Sequence, residues 1–180
     1  MRYSNEKNDL LHGYIIPGAI AVFLVIFAGF AIISLRYGRK NASVDVLTSD
    51  INELEEIFKK INKTAKIISF DHQKNWIDFL HIKKDGFIGS EVGSMNLEYL
   101  DRWEGPYLKD NPTYRGKEYQ IVRTKKGYFI VPGDGVTLPN GKVIGKDIIL
   151  DENADIKALA YDKNGLRFNN NSLTVRIDIG

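Results

Sequence analysis

Residue types that could do chemistry are few in this chain, and their spacing narrows them further. There is no cysteine, which excludes disulfides, thiolate catalysis and cysteine-zinc sites together. The three histidines, His12, His72 and His81, include no pair at the i, i+4 spacing that would put two imidazoles on one helix face for a metal. Acid pairs such as Asp151 with Asp155 exist, but loop spacing alone does not make a catalytic dyad. No G-x-S-x-G, P-loop, H-E-x-x-H or Rossmann glycine run occurs, and Gly133-Asp134-Gly135 is too short to cradle a phosphate. The expectation is a protein that is not an enzyme. The densest cluster of unusual residues is instead aromatic: WEGPYLKDNP, Trp103 to Pro112, with two rings, a Gly-Pro step and a second proline.

Trp103 and Tyr107 each bring a large apolar surface with one polar atom that needs a partner. Pro106 restricts its own φ and keeps Gly105 extended or in a turn. Such a run suits a clamp that pins a long loop to a neighbouring helix, with direct ligand binding by the rings as the alternative. Which elements lie around it follows from hydropathy and spacing.

Tyr14 to Leu35 reads YIIPGAIAVFLVIFAGFAIISL, 22 residues without a charge. As a helix it spans roughly 33 Å, enough to cross a hydrocarbon core. Arg36, Gly38, Arg39 and Lys40 follow where a cleaved secretory signal would have a small-residue site. The N-terminal flank carries Arg2 and Lys7 against Glu6 and Asp9, so the charge balance by itself weakly favours a cytoplasmic C-terminal domain. Outside this segment about 140 residues remain, enough for one domain with its own core. With 27% charged residues and a net charge of +2, no strong field points to nucleic acid.

Beyond the basic cluster, apolar residues fall at Val44, Leu47, Ile51, Leu54, Phe58, Ile61, Ala65 and Ile68, in steps of 3, 4, 3, 4, 3, 4, 3. This is one unbroken helix stripe. Its narrowness fits a coiled-coil seam, but strand-like residues downstream need a partner, so the helix is expected to pack on its own domain. The boundaries predicted are a membrane helix over 14–35, an amphipathic continuation over 36–70 and a globular domain over 71–180. Within that domain His72 to Lys84 reads as a short helix and Asn96 to Trp103 as a helical turn. KEYQIVR (117–123) and GYFIV (127–131) read as a hairpin, and Pro139-Asn140-Gly141 as a turn. KDIIL (146–150), IKALAY (156–161) with Leu166–Phe168, and LTVRIDI (173–179) read as further strands. The fold class expected is α+β, a long helix laid on an antiparallel sheet.

Two stretches resemble a known family. MRYSNEKNDLLHG (1–13) followed by Tyr14 is similar to a type IV prepilin leader, which ends in glycine and leaves an aromatic at the start of the mature chain; the residues concerned are Gly13 and Tyr14. Trp103, Gly105, Pro106, Tyr107, Leu108 and Lys109 match in register the W-x-G-P-Y-L-K run of the major pseudopilins of type II secretion systems. Asp85-Gly86-Phe87-Ile88, Asn96 to Leu100, Tyr114 to Tyr119, and Tyr128 to Val131 with Gly133-Asp134-Gly135 are similar, in order, to pieces around that run. The resemblance covers about residues 14 to 155; the tail from Ile156 has no counterpart. Where the family has a glutamate that pairs with a neighbouring subunit, this chain has Gly18 after Pro17, which argues against ordinary polymerisation.

The resemblance implies a pilin-like fold, a bacterial inner-membrane protein with its domain on the periplasmic side, and pilin or pseudopilin subunits, prepilin peptidase and the inner-membrane assembly machinery as partners. It reverses the orientation that charge alone favours. It also brings a calcium site, for which Asp134, Asp151, Glu152 and Asp155 are the candidates; turns and a solvated loop are the alternative for the same residues. Two functions stay open: a structural assembly subunit, minor or diverged, and a membrane-anchored binding or sensor module that never polymerises. The sequon-like stretches at Asn41, Asn62 and Asn170 do not separate them.

Overall fold

The computed structural model describes residues 16–83 and 91–179. Contacts divide the chain into two compact units, 1–42 and 43–180. One helix, α1 (Ile16–Ala65), runs through both. In the first unit large apolar side chains, among them Val22, Phe23, Leu24, Val25 and Phe27, are more than half exposed. The helix is long and apolar enough to cross a membrane. Pro17 and Gly18 sit in its first turn, where a missing amide hydrogen costs no intrahelical bond.

In the second unit the stripe is buried from Val44 to Ala65, at 0–2% exposure for all seven residues, within the hydrophobic core cluster. The helix does not continue to residue 70. Lys66 takes a left-handed conformation (φ 55°) and the chain turns into β1 (Ile67–Phe70). The stripe's last expected member, Ile68, is 55% exposed, and Ile67 is buried in its place, because the period changes from 3.6 to 2 at Lys66. The helix end is closed from outside. The Tyr99 and Glu98 amides donate to the carbonyls of Ala65 and Lys66, and the Asn62 side chain accepts from Ile67 N.

The predicted helix over 72–84 is not present in its described part. β2 (Lys74–Trp76) occupies it, followed by a turn through His81. Buried Asn75 holds a local turn through two bonds to the His72 backbone and adds one to the Ile121 carbonyl, while residues 74–76 pair with β6 (Lys117–Thr124). Next come β3 (Glu91–Val92), β4 (Met95–Leu97) and a 3-10 turn, Leu100–Arg102, so the expected helical turn is partly strand. β1, β4 and β3 form a small antiparallel sheet. β5 (Thr113–Tyr114), β6 (Lys117–Thr124) and β7 (Gly127–Pro132) follow; the 117–131 hairpin is present, but Thr124, expected in the connection with Lys125 and Lys126, pairs with Gly127 and belongs to β6. The Pro139-Asn140-Gly141 turn is also present, with Gly141 at φ 89°.

The tail departs from expectation. Residues 146–150 make a turn with one isolated bridge, Ile144 to Ile148, and 156–161 hold a short helix, α2 (Ile156–Leu159), where a strand is expected. β8 (Arg167–Phe168) therefore pairs with β9 (Asn171–Ser172) and not with 156–161. β10 (Val175–Ile177) closes the main sheet, whose order is β10-β7-β6-β2 with β5 also on β6, all antiparallel.

Four successive residues of β6, Tyr119 to Val122, are buried, so both sheet faces are covered. Tyr119 reaches α1 through Asp50, its hydroxyl 2.7 Å from Oδ2. On the other face Lys74 meets Asp134, and Gly133 lies over Gln120, bringing the 133–150 loop and its buried Val136, Leu138, Ile144, Ile148 and Leu150 onto the sheet. The molecule is α+β, with a long apolar N-terminal helix and antiparallel sheets.

Candidate functional site

The WEGPYLK run is a packed junction. Trp103 is fully buried, its ring edge-on to Tyr107 with centroids 4.8 Å apart, and its indole N–H donates to the Ile82 carbonyl at 3.2 Å. The amides of Tyr107 and Leu108 both donate to the Leu80 carbonyl, at 2.7 and 3.2 Å. Gly105, joined to Pro106 by a cis peptide, has no room for a side chain: a Cβ would lie 2.4 Å from the indole nitrogen and 2.7 Å from the Ile82 carbonyl oxygen. The Glu104 amide donates to the Tyr107 hydroxyl at 3.3 Å. Burial, foremost, pushes the Tyr107 phenol up. The α1 side of the junction is Lys60, 2.9 Å from Glu104 and 5.4 Å from the centre of the Tyr107 ring. The carboxylate hydrogen bond, foremost, raises the Lys60 ammonium. The run thus ties residues 80–82 and α1 together.

A groove of about 240 Å³ adjoins this junction, lined by Asp50, Glu53, Leu108, Lys109, Asp110 and Thr113. Burial first, and then the bond to Asp50, push the Tyr119 phenol far up, so it stays a hydrogen-bond donor.

The acidic candidates for calcium are not brought together. Both Asp134 oxygens face the Lys74 ammonium, at 2.9 and 2.7 Å. Asp151 accepts from Asn153 N, closing its own turn. Asp155 caps α2 by accepting from Ala158 N and pairs with Lys126, whose hydrogen bond, foremost, holds its carboxyl below the usual range. Glu152 is exposed, and its carbonyl accepts from Lys125 N. Among the described residues no three His, Cys, Asp or Glu side chains stand close enough to hold a metal. Asp134 and Asp155, each already paired with a lysine, do not supply a shared cage of six or more oxygens.

Gly13, Tyr14 and the Asp85-Gly86-Phe87-Ile88 turn lie outside the described residues. Gly18 has nothing within 4 Å of the position a Cβ would take. His72 and His81 are both exposed, and they stand on opposite sides of β2 in the chain.

Two arrangements are invisible to the sequence reading. Asn62, noticed there for its sequon-like surroundings, has both ends of its amide engaged, its nitrogen donating to the Asp178 carbonyl at 2.9 Å. The second is a groove of about 290 Å³ between α2 and β10, lined in part by Lys157, Tyr161 and Arg176. Neither has a spacing signature, since each joins residues remote in the chain.

No protein-family model, no curated protein and no solved structure matches this chain.

Proposed function

We propose that the chain is a structural subunit of a pilus-like or pseudopilus-like assembly, minor or diverged. In this reading residues 14–35 hold it in a bacterial inner membrane with its domain on the periplasmic side. The observation that carries the proposal is α1 itself: one helix that is apolar and exposed in its first part and supplies the buried spine of an antiparallel-sheet domain in its second. The leader-like 1–13 segment and the W-x-G-P-Y-L-K match add to it. Gly18, in place of the family's glutamate, points to a specialised position in the assembly rather than its bulk.

The same glycine favours a second reading, an anchored binding or sensor module that stays single. Mass spectrometry of the N-terminus, on protein recovered from membranes containing the matching prepilin peptidase, separates them. A mature chain starting at Tyr14 is expected. A chain still starting at Met1 or Arg2 removes the assembly reading and leaves the anchored module.

A further inference from the structure

The tail beyond Ile156 takes no part in the assembly reading, yet it builds an edge with a defined opening. β10 is an outer strand of the main sheet. Which of its peptide groups face outward follows from bonds two strands away. Ile77 N donates to the Tyr119 carbonyl, and Arg123 N to the Gln73 carbonyl, so the odd-numbered residues of β6 turn their peptides toward β2. The even-numbered ones face β7, and in an antiparallel pair this alternation carries across the register. Gln120 stands opposite Val131 and Val122 opposite Phe129, which commits Phe129 and Val131 to β6 and turns Tyr128 and Ile130 toward β10. Val175 stands opposite Ile130 and Ile177 opposite Tyr128. These two residues close the ladder, and Thr174, Arg176 and Asp178 point their peptides away from the sheet.

Two of those three are covered. The Ser172 hydroxyl donates to the Thr174 carbonyl at 2.7 Å, and the Asn62 amide donates to the Asp178 carbonyl. Between them the N–H and C=O of Arg176 face outward. An outer strand is a template for another strand; covering both ends confines that template to one residue.

The groove lies beside this opening. Phe129, which stands opposite Arg176 on the same sheet face, lines it, as does Tyr161, which is 70% exposed. Lys157 and Arg176 line it, and no carboxylate is among its lining residues. The pairing of Arg176 with Asp178 is loose, at 3.7 Å between side chains that are 62% and 88% exposed, and such surface pairs hold weakly.

We propose that this groove docks an extended acidic segment of a partner protein. The segment's main chain pairs with the open peptide of Arg176, its carboxylates meet Lys157 and Arg176, and the Tyr161 ring packs across it. The positive lining sets the sign of the segment, and the single open peptide sets its extended form.

The test uses the full chain in uncharged detergent micelles. The probe is a fluorescein-labelled seven-residue peptide alternating valine with glutamate, compared with its lysine-for-glutamate counterpart. Fluorescence anisotropy is expected to show binding of the acidic probe only. The combined Lys157→Glu and Arg176→Glu change is expected to weaken it by about tenfold or more, Tyr161→Ala is expected to weaken it too, and the probe is expected to slow hydrogen exchange at the Arg176 amide. Should the double reversal unfold the chain, Lys157→Gln, at an exposed position off the sheet, carries the charge test alone. Equal binding of the lysine peptide, binding unchanged in the charge variants, or unaltered exchange at Arg176 overturns the proposal. So does displacement by free glutamate at the peptide's own concentration, which would make this a small-carboxylate site.

Discussion

Gly105 shows how little freedom a single position in the clamp has. Any Cβ there meets the Trp103 indole and the Ile82 carbonyl at distances no real contact allows, and Trp103 cannot retreat because it is buried on all sides. Gly105→Ala is therefore expected to destabilise the domain by at least about 2 kcal/mol through overpacking. Chemical denaturation of the detergent-solubilised chain, followed by tryptophan fluorescence, checks this. Its sequence showed the composition of this junction, two rings around a Gly-Pro step, but not that the indole N–H would seek a carbonyl 21 residues earlier. Asp134 marks the limit of residue-level reading: a glycine-flanked aspartate looks available for a cation, and what occupies it is Lys74, 60 positions away.

Among the elements, those whose pattern is long and local were legible. The stripe from Val44 to Ala65 repeats often enough to fix a helix and its buried face, and the 117–131 hairpin shows an alternating strand, a short polar connection and a β-branched and aromatic run. The failures lie where an apolar pattern fits two periods. Ile67 and Ile68 are adjacent, so the helical spacing runs on to Ile68 although the backbone has already turned at Lys66. Trp76, Phe79 and Leu80 are likewise spaced as on a helix, and the long-range pairing of 74–76 with β6, which the local pattern does not show, makes them strand and turn. The α2 segment does carry a local helix signal, since Asp155 stands at a cap position ahead of Ile-Lys-Ala-Leu, three of which are good helix formers. The end of α1 depends on Asn62, which bonds Ile67 N and the Asp178 carbonyl at once. Asn62→Ala leaves both unpaired and is expected to cost about 1–2 kcal/mol. Faster amide exchange at Ile67, against unchanged exchange at the centre of β6, would report it.

At the scale of the molecule, every residue of the core cluster lies at Val44 or beyond. A chain beginning at Ser43 is expected to fold in water without detergent and to keep the circular dichroism and cooperative melting of the domain. Aggregation of that fragment would mean that the apolar half of α1 shields surface the domain needs covered. The same spine has a mechanical consequence. From Val44 to Ala65 the seated residues extend over about 32 Å of helix, so a pull along its axis loads all of them at once, and the helix must shear free of the domain as a unit. A pull across the axis would unzip it one contact at a time. A domain packed on its own helix in this way resists tension along that helix axis far better than tension across it.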